Sequence, residues 1–277
     1  MIQNFQNFQN FQNFQNFQII ICFFTLDDYY ITNIFYHSLY FNKNMEPHVS
    51  IKYLRKIFNG NGPEPVAAID DLSLDIPQGQ FLTVMGPSGS GKTTLLHLIA
   101  GLAQPTSGDV IVNGTNLATL NDHQLTLFRR QNIGVIFQSF NLIPTLTTEE
   151  NILLPVLAGF HDIDKVKLDV AVTQLLERLQ LDHRRNHYPD TLSGGEQQRA
   201  AIARALLIDF ATDSHGSLLL ADEPTGNLDS ANSDIICNLL KSLCQERNHT
   251  MVVVTHEPAV ANYADRVIHL KDGRIAD

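Results

Sequence analysis

Three scarcities limit what this chain can be. It contains only three cysteines, Cys22, Cys237 and Cys244, which lack the spacing of a disulfide framework or a zinc site. A reducing cytoplasm is the simplest compartment for such thiols. Lysine and arginine number 19 against 29 aspartate and glutamate residues, for a net charge of -10. Because nucleic-acid binding needs a basic face, this balance argues against nucleic acid as the main partner.

Long apolar runs are also missing near the N-terminus. The longest, residues 19–24, is far too short to span a bilayer. No basic region precedes it and no small-residue cleavage site follows it, so we expect no signal peptide. If the protein acts at a membrane, we expect another polypeptide to supply the spans.

The first 44 residues differ in composition from the rest. They contain no Gly, Ala, Val, Pro, Glu or Arg, and Phe recurs every third residue from Phe5 to Phe17. A period of three fits neither a helical face nor strand alternation. We expect residues 1–44 to be a low-complexity extension, either disordered or the product of a wrongly chosen start codon, and residues 45–277 to form one domain.

After Met45, predicted strands and helices alternate. The predicted strands are residues 51–54, 81–85, 110–112, 134–137, 218–221, 251–254 and 267–270, and the predicted helices are 92–100, 122–130, 165–179, 196–207 and 231–245. Apolar strands punctuated by helices indicate an α/β fold whose sheet is buried on both faces. Residues 147–190 have a helical pattern and no convincing strand, which predicts a helical insertion.

The segment GPSGSGKT matches the phosphate-binding pattern GxxxxGK[ST] between an apolar strand and a helix. Glycines let backbone N–H groups converge on phosphate oxygens, and the helix start adds partial positive charge. We expect Lys92 to reach the β- and γ-phosphates and the Thr93 hydroxyl to bind Mg²⁺. This motif indicates only a purine nucleotide, because kinases and GTPases share it. The predicted nucleotide-binding residues here are Gly86, Pro87, Ser88, Gly89, Ser90, Gly91, Lys92, Thr93 and Thr94.

A second apolar strand, LLLA, ends in Asp222 and Glu223. Asp222 is placed to hold Mg²⁺, directly or through water. Neighbouring side chains on an extended chain face opposite sides, so Glu223 should point elsewhere and polarise an attacking water as general base. The alternative is an acidic strand end that simply faces solvent, which the phosphate-binding loop disfavours.

Ser193, Gly194 and Gly195 precede a helix in the segment LSGGEQQR and predict a second anion-binding helix start. A single chain has no obvious use for two γ-phosphate sites. Here the sequence resembles the ATP-binding cassette (ABC) family, whose signature is LSGGQ, with Glu196 in place of the glutamine. The resemblance covers residues 45–277. It implies a P-loop NTPase core, a mainly parallel sheet flanked by helices, with an N-terminal antiparallel β part and a helical subdomain at about 147–195.

The resemblance implies roles for further residues. Gln138 matches the glutamine that contacts Mg²⁺ or water and senses the membrane partner, and residues 227–229 match the loop that crosses the dimer interface. His256 matches the switch histidine that contacts the γ-phosphate. Phe58 matches the aromatic residue that stacks on adenine, with Tyr53 as a competitor. The implied catalytic residues are Glu223, His256 and Gln138, and the implied metal ligands are Thr93, Gln138 and Asp222.

The resemblance implies an ATP-hydrolysing subunit that uses ATP and Mg²⁺. Two copies would form a homodimer around two ATP molecules, and the signature of one copy would close over the ATP of the other. We expect a separate transmembrane permease as partner, with the chain peripheral on the cytoplasmic face of the inner (plasma) membrane. The alternative is a non-transport ABC ATPase in DNA repair or translation; such proteins usually carry two cassettes, a long coiled coil or zinc-ligand cysteines.

Three segments refine the resemblance and one departs from it. GPSGSGKTTLLHLIAGL, IGVIFQSFNLIPTLT and LLLADEPTGNLDS look most like the lipoprotein-release and macrolide-export type, although amino-acid importers and the cell-division ATPase are similar. Residues 206–217, LLIDFATDSHGS, are longer than is usual and lack the customary proline. We expect them to form an inserted surface loop that leaves the ATPase core intact, because loop insertions cost little.

The N-terminal repeat leads to the first prediction. A chain that starts at Met45 should hydrolyse ATP as fast as the full chain, because the cassette motifs all follow Met45. Steady-state ATPase assays on the two proteins test this, and a loss of most activity on truncation would contradict it.

Overall fold

The computed structural model describes residues 46–58, 65–157, 163–212 and 216–276. The chain divides into Met1–Met45 and Glu46–Asp277, and all described residues belong to the second unit. The predicted low-complexity extension of residues 1–44 therefore lies outside the described residues.

Strands and helices alternate along the second unit. The strands are β1 (Val49–Phe58), β2 (Val66–Ile76), β3 (Phe81–Met85), β4 (Ser107–Val112), β5 (Thr115–Asn116), β6 (Ile133–Ile136), β7 (Leu218–Asp222), β8 (Thr250–Thr255), β9 (Arg266–Lys271) and β10 (Arg274–Ala276). The α-helices are α1 (Lys92–Ile99), α2 (Asp122–Asn132), α3 (Thr148–Leu157), α4 (Lys165–Arg178), α5 (Gly194–Thr212), α6 (Ser230–Arg247) and α7 (Pro258–Ala261). Across the described ranges, no helix combines the length and apolar character that a membrane crossing needs.

The strands form two sheets. The first is antiparallel, in the order β2-β1-β4-β5, and the second has the order β10-β9-β3-β8-β7-β6. In the second sheet β9, β3, β8, β7 and β6 run parallel, while β10 returns antiparallel to β9. The expected α/β fold, with a mainly parallel sheet and an N-terminal antiparallel part, is confirmed.

Alternate side chains of the parallel strands enter two different cores. In β7, Leu218 and Leu220 pack with α1 and the antiparallel sheet, whereas Leu219 and Ala221 pack with α4, α5 and α6 on the opposite face. Both faces of the strand are thus covered, which explains why its sequence is continuously apolar rather than alternating. This burial is the main source of stability and holds the strand ends in place.

Most of the predicted elements are present with shifts of one or two residues at their ends. β3 has the predicted bounds, and β7, β8 and β9 each extend slightly beyond theirs. The sequence pattern does not predict β2, although Leu72, Leu74 and Ile76 alternate with polar residues. Asp70 and Asp71 interrupt that alternation where the register between β1 and β2 shifts, and Asp71 there has a φ of 57°.

The segment predicted as an inserted surface loop is largely helical. α5 continues to Thr212 instead of ending near Leu207, and Leu207 and Ala211, four residues apart, are both buried. The predicted helix of residues 196–207 is present, and the loop expectation is wrong for residues 208–212, because apolar residues at helical spacing extend the helix over the core. Residues 213–215 lie outside the described residues.

A buried asparagine fastens the loop between β6 and α3. Asn151, in α3, is fully buried, and its Oδ1 accepts a 2.7 Å hydrogen bond from the Ile143 N–H. Its Nδ2 donates to the carbonyl oxygens of Ile143, Leu146 and Thr147 at 3.0 to 3.1 Å. The Ile143 carbonyl also accepts from the Leu146 N–H, and the Thr147 carbonyl from the Asn151 N–H, so the asparagine side chain matters most for the Ile143 N–H and the Leu146 carbonyl.

The second prediction follows from this contact. Replacing Asn151→Ala removes the side-chain partner of the Ile143 N–H and the Leu146 carbonyl and should lower the free energy of unfolding by about 2–3 kcal/mol. Urea unfolding followed by circular dichroism measures the change. The matched control is Asn238→Ala on the exposed face of α6, which should stay within about 0.5 kcal/mol. Equal effects of the two substitutions would contradict the role assigned to Asn151.

Candidate functional site

The glycine-rich loop follows the central strand β3 and opens α1, as its motif predicts. Two of its glycines are required by close backbone approach. A Cβ on Gly86 would lie 2.2 Å from the Leu270 carbonyl oxygen, and one on Gly91 would lie 2.2 Å from the Ala68 carbonyl oxygen. Gly91 also has a φ of 102°, which favours glycine. The loop therefore lies against β2 and β9 with no side chain between the backbones.

Lys92 lies inside this loop. It is 7% exposed, and its Nζ donates 2.8 Å hydrogen bonds to the carbonyl oxygens of Gly86 and Pro87. The buried hydroxyl of Ser90 has no hydrogen-bond partner among the described residues. A buried ammonium inside a glycine-rich loop at a helix start makes a site suited to a multiply charged anion.

Thr93 and Asp222 meet at the adjacent strand end. The Thr93 hydroxyl donates to Asp222 Oδ1 at 3.2 Å, and the strand order β3-β8-β7 brings the two residues together from distant parts of the chain. Burial raises the pKa of Asp222, and the hydrogen bond from Thr93 partly opposes that rise. A hydroxyl and a carboxylate are oxygen donors of the kind that Mg²⁺ prefers.

Glu223 takes its direction from a turn rather than from strand alternation. β7 ends at Asp222, and Glu223 has a φ of 44°, a left-handed conformation that is uncommon for this residue. Its N–H donates to the Val254 carbonyl oxygen at 2.9 Å, which holds the turn against β8. The expectation that Glu223 continues an extended chain is therefore wrong; its side chain contacts His256, whereas that of Asp222 contacts Thr93. Such strained backbone is frequent at functional sites.

His256 follows β8 and contacts Glu223. Its Nδ1 lies 2.8 Å from Glu223 Oε1, with the histidine side chain 59% exposed and the glutamate 19% exposed. The Glu223 carboxylate is thus held from one side by the imidazole while its backbone is held by β8. Both residues stand at the carboxyl ends of parallel strands, where ligands of such sheets bind.

Gln138 reaches the same region from the end of β6. A Cβ on Gly226 would lie 3.1 Å from Gln138 Nε2 and 3.3 Å from Glu223 Oε2, so the two side chains approach each other across that glycine. The Asn227 side chain donates to the Gln138 carbonyl oxygen at 2.8 Å. Among the described hydrogen bonds, none joins the Gln138 side chain to Thr93 or Asp222. Its expected place beside the metal ligands stays a prediction.

The signature segment forms a closed helix start. The N–H and the hydroxyl of Ser193 both donate to Glu196 Oε2, at 2.8 and 2.9 Å, and the Glu196 N–H returns to the Ser193 hydroxyl at 3.3 Å. Glu196 Oε1 in turn accepts a 2.8 Å hydrogen bond from Arg184 Nε. Gly194 and Gly195 pack beside Asn227 and Asn232. No described hydrogen bond links this segment to the glycine-rich loop of the same chain.

The two candidate adenine platforms differ in position. Phe58 ends β1 opposite Val66, two residues from Ala68, which contacts Gly91. The ring is 46% exposed, and Lys56 Nζ lies 5.0 Å from its centroid. Tyr53, with a φ of 49°, lies in the irregular part of β1 where Gly108 approaches its carbonyl oxygen. The geometry favours Phe58 as the aromatic residue near the loop.

Sequence reasoning missed two arginines that hold functional segments. Arg204, in α5, donates to the carbonyl oxygens of Phe140 and Asn141 at 2.7 and 2.5 Å, just after Gln138. Arg184 holds Glu196, as described above. The available signal is an arginine inside the apolar helical pattern of residues 196–207, because a largely buried arginine needs specific acceptors. The assembled residues have the form of a P-loop nucleotide-binding site.

Comparison with known proteins shows the family to which this chain belongs. The family model for the ABC transporter matches residues 69–226, and the chain belongs to this family as an ATP-binding subunit. An uncharacterised ABC transporter ATP-binding protein of Mycobacterium tuberculosis is 44% identical over 234 residues, which are 84% of this chain and 90% of that protein. The resemblance inferred from the sequence motifs is confirmed.

Two further relatives show how the cassette occurs in other proteins. A macrolide export ATP-binding/permease protein, MacB, of Rhodopirellula baltica is 43% identical over 216 residues, which are 78% of this chain and 31% of that protein. The ATP-binding cassette MJ0796 of Methanocaldococcus jannaschii has been solved as a dimer in a post-hydrolysis state bound to ADP and Pi. Its structure matches with a TM-score of 0.75 and 40% identity, over 83% of this chain and 97% of that one.

The third prediction concerns the charge of Glu196. Burial alone would raise its pKa, but the hydrogen bonds from Ser193 and Arg184 outweigh burial and lower the pKa from 4.5 to about 2. A carboxylate with a depressed pKa in the folded state stabilises the protein above about pH 4.5, and this contribution is lost as the pH falls towards 2. Glu196→Gln should therefore cost about 1–2 kcal/mol at pH 7 and progressively less below pH 4.5.

The urea midpoints of the wild type and of Glu196→Gln, measured between pH 7 and pH 3, test whether the stability difference between the two proteins narrows as the pH falls. Glu177→Gln is the matched control, since it removes a carboxylate from an exposed position of α4 that makes no side-chain hydrogen bond in the described part of the chain. A stability gap between wild type and Glu196→Gln that stays constant over this range would contradict the prediction.

Proposed function

We propose that this chain hydrolyses ATP in a homodimer of cassettes and so drives transport through a separate membrane permease. The observation that carries the proposal is the meeting of Lys92, Thr93, Asp222, Glu223 and His256 at the carboxyl ends of β3, β7 and β8. Phosphoryl transfer needs little covalent chemistry from the protein, so positioned charges and donors at one sheet edge are the expected equipment.

The glycine-rich loop fits the triphosphate of ATP. Its backbone N–H groups and the start of α1 would cradle the β- and γ-phosphates. Lys92 would exchange its two carbonyl acceptors for phosphate oxygens and offset their charge. Thr93 and Asp222 fit Mg²⁺ through their oxygen atoms, with Asp222 directly or through a water. When bound, the ion supplies positive charge to the β- and γ-phosphate oxygens.

Glu223 is the proposed general base. Its carboxylate would accept the proton of the water that attacks the γ-phosphate. His256 would hold that carboxylate through Nδ1 and leave its other nitrogen for the γ-phosphate. Gln138, which approaches Glu223 across Gly226, would orient the same water. The turn that places Glu223 outside β7 supports this role, because its carboxylate there meets His256 while that of Asp222 meets Thr93.

Ser193 and its two glycines are proposed to bind the ATP of the partner subunit. A helix start leaves its first N–H groups without intrahelical partners, and those of Gly194 and Gly195 remain for an anion after Ser193 turns to Glu196. Within one chain this segment shares no hydrogen bond with the loop among the described residues, which agrees with a site completed by a second copy. The dimeric state reported for MJ0796 supports the same arrangement.

We propose that the adenine stacks on Phe58 and that the permease docks beside Gln138. The loop after Gln138 is tied to α5 through Arg204 and to α3 through Asn151, so movement there would reach the signature helix. Permease contact through this loop and the helical segment of residues 147–195 would hold the chain at the cytoplasmic face of the membrane. The family supports coupling to transport, and the substrate would be chosen by the permease.

The fourth prediction tests the dimer. Glu223→Gln keeps the side-chain shape but removes the basic carboxylate and one negative charge beside the triphosphate. The purified variant should stop hydrolysing ATP, remain monomeric without nucleotide and form a stable dimer with ATP. Size-exclusion chromatography with light scattering measures the mass in both conditions. A mass that does not change with ATP would contradict the proposal.

A second substitution tests the role of Ser193 across the interface. Adding Ser193→Arg to Glu223→Gln should abolish the ATP-dependent dimer, because an arginine would block the phosphate at an exposed helix start. Gln174→Arg, on an exposed position of α4, is the control and should leave the dimer intact. Persistence of the dimer in the Ser193→Arg protein would contradict this contact.

A further inference from the structure

The turn between β9 and β10 lies against the glycine-rich loop. Asp272 and Gly273 form this two-residue turn, with φ of 50° and 75°, as hairpins with Asp-Gly prefer. The Gly273 N–H donates to the Ser90 carbonyl oxygen at 3.0 Å, and its own carbonyl accepts from the Asp70 N–H at 3.0 Å. A single residue of the C-terminal hairpin therefore links β2 to the loop.

The Asp70 side chain fastens the same hairpin. Its Oδ2 accepts from Nε and Nη2 of Arg274, at 3.1 and 2.5 Å, in the first residue of β10. Its Oδ1 accepts from Nε and Nη2 of Arg55, at 2.9 and 2.6 Å, in β1. These four hydrogen bonds lower the pKa of Asp70, with those from Arg274 foremost. One carboxylate thus joins three strands, and each of its oxygens accepts two hydrogen bonds from one guanidinium.

Close backbone contacts connect the β9–β10 hairpin and β2 to the glycine-rich loop. A Cβ on Gly273 would lie 2.8 Å from the Ala68 carbonyl oxygen, the same oxygen that a Cβ on Gly91 would meet at 2.2 Å. Gly86, at the other end of the loop, meets the Leu270 carbonyl oxygen of β9 in the same way. Both ends of the loop therefore rest on backbone that the hairpin and β2 hold in place. A shift of the hairpin would displace groups that must converge on the phosphates.

We propose that Asp70 is a positioning residue for nucleotide binding: through Arg274 it holds the β9–β10 turn against Ser90 and so keeps the phosphate loop in its binding shape. The proposal rests on the proposed role of that loop as the triphosphate site. Exposed ion pairs contribute little to overall stability, so the expected consequence is a change in the binding-competent fraction of the loop rather than unfolding. β10 has only three residues, so the Asp70–Arg274 pair adds to the few backbone contacts that hold it.

The direction in which nucleotide affinity changes distinguishes a positioning role of Asp70 from a purely electrostatic one. Removing a negative charge near a triphosphate site should by itself strengthen nucleotide binding. Asp70→Asn should instead weaken it, because a single uncharged amide oxygen would replace the two charged oxygens that hold Arg55 and Arg274, which loosens the hairpin. We expect the Kd for mant-ADP and the KM for MgATP to rise about fivefold, with kcat nearly unchanged. Arg274→Gln should have the same effect, and the double variant should show no further increase, because both substitutions break one link.

Asp71→Asn is the matched control. Asp71 is the next residue, carries the same charge and makes no side-chain hydrogen bond in the described part of the chain. Its φ of 57° is one that asparagine tolerates. This variant should bind nucleotide as tightly as the wild type or slightly more tightly. Arg55→Gln, which leaves the link to β10 in place, should change the affinity less than Arg274→Gln.

Lys92→Ala in the same full-length chain separates the two proposals. If it abolishes mant-ADP binding while Asp70→Asn and Arg274→Gln leave the affinity unchanged, the positioning role is overturned and the nucleotide site stands. If Lys92→Ala binds as the wild type does, the nucleotide site itself is wrong and the positioning role falls with it. Thermal unfolding of each variant accompanies the binding assay. Should Asp70→Asn unfold, Arg274→Gln, an exposed substitution, decides the question alone.

Discussion

The pairing of three parallel strands, β3, β8 and β7, is the constraint on which the rest of this structure depends. It places the end of each strand at one edge of the sheet, so residues separated by more than a hundred positions along the chain become neighbours there. Thr93 follows β3, Asp222 ends β7 and His256 follows β8. The strands can lie side by side only because helices and the antiparallel sheet cover both faces, which is also why their sequences are almost purely apolar.

Around that edge, backbone contacts fix the shape of the phosphate loop, and ion pairs fix the β9–β10 turn and the signature helix start. Gly86 and Gly91 allow the phosphate loop to rest directly on carbonyl groups of β9 and β2. Asp70 and Glu196 each accept from an arginine and have lowered pKa values, so both remain charged while they hold a turn or a helix start. Asp222 differs, since burial raises its pKa and leaves it poised for a cation. The carboxylates of Asp70 and Glu196 thus hold structural elements in place, whereas that of Asp222 is available to bind a ligand.

The family, the fold class and most element bounds could be predicted from the sequence, because local patterns carry them. The glycine-rich loop is contiguous, and buried parallel strands show as short apolar runs such as LLLAD and MVVVT. β2 could not be predicted, since its irregular pairing around Asp70 and Asp71 breaks the alternation on which strand prediction relies. The extension of α5 replaces the expected inserted loop, because Leu207 and Ala211 lie at helical spacing and continue the buried face of the helix.

The candidate site, like the fold, has a part that the sequence predicts and a part that only the structure shows. The sequence by itself determined which residue types are present and in what order: a glycine loop with Lys92, paired acids at a strand end, and a serine-glycine helix start. Only the tertiary structure decided that Glu223 leaves its strand in a left-handed turn to meet His256 and that a C-terminal hairpin supports the phosphate loop. These contacts join residues far apart in the chain, and their geometry depends on strand register and packing, which no local pattern encodes.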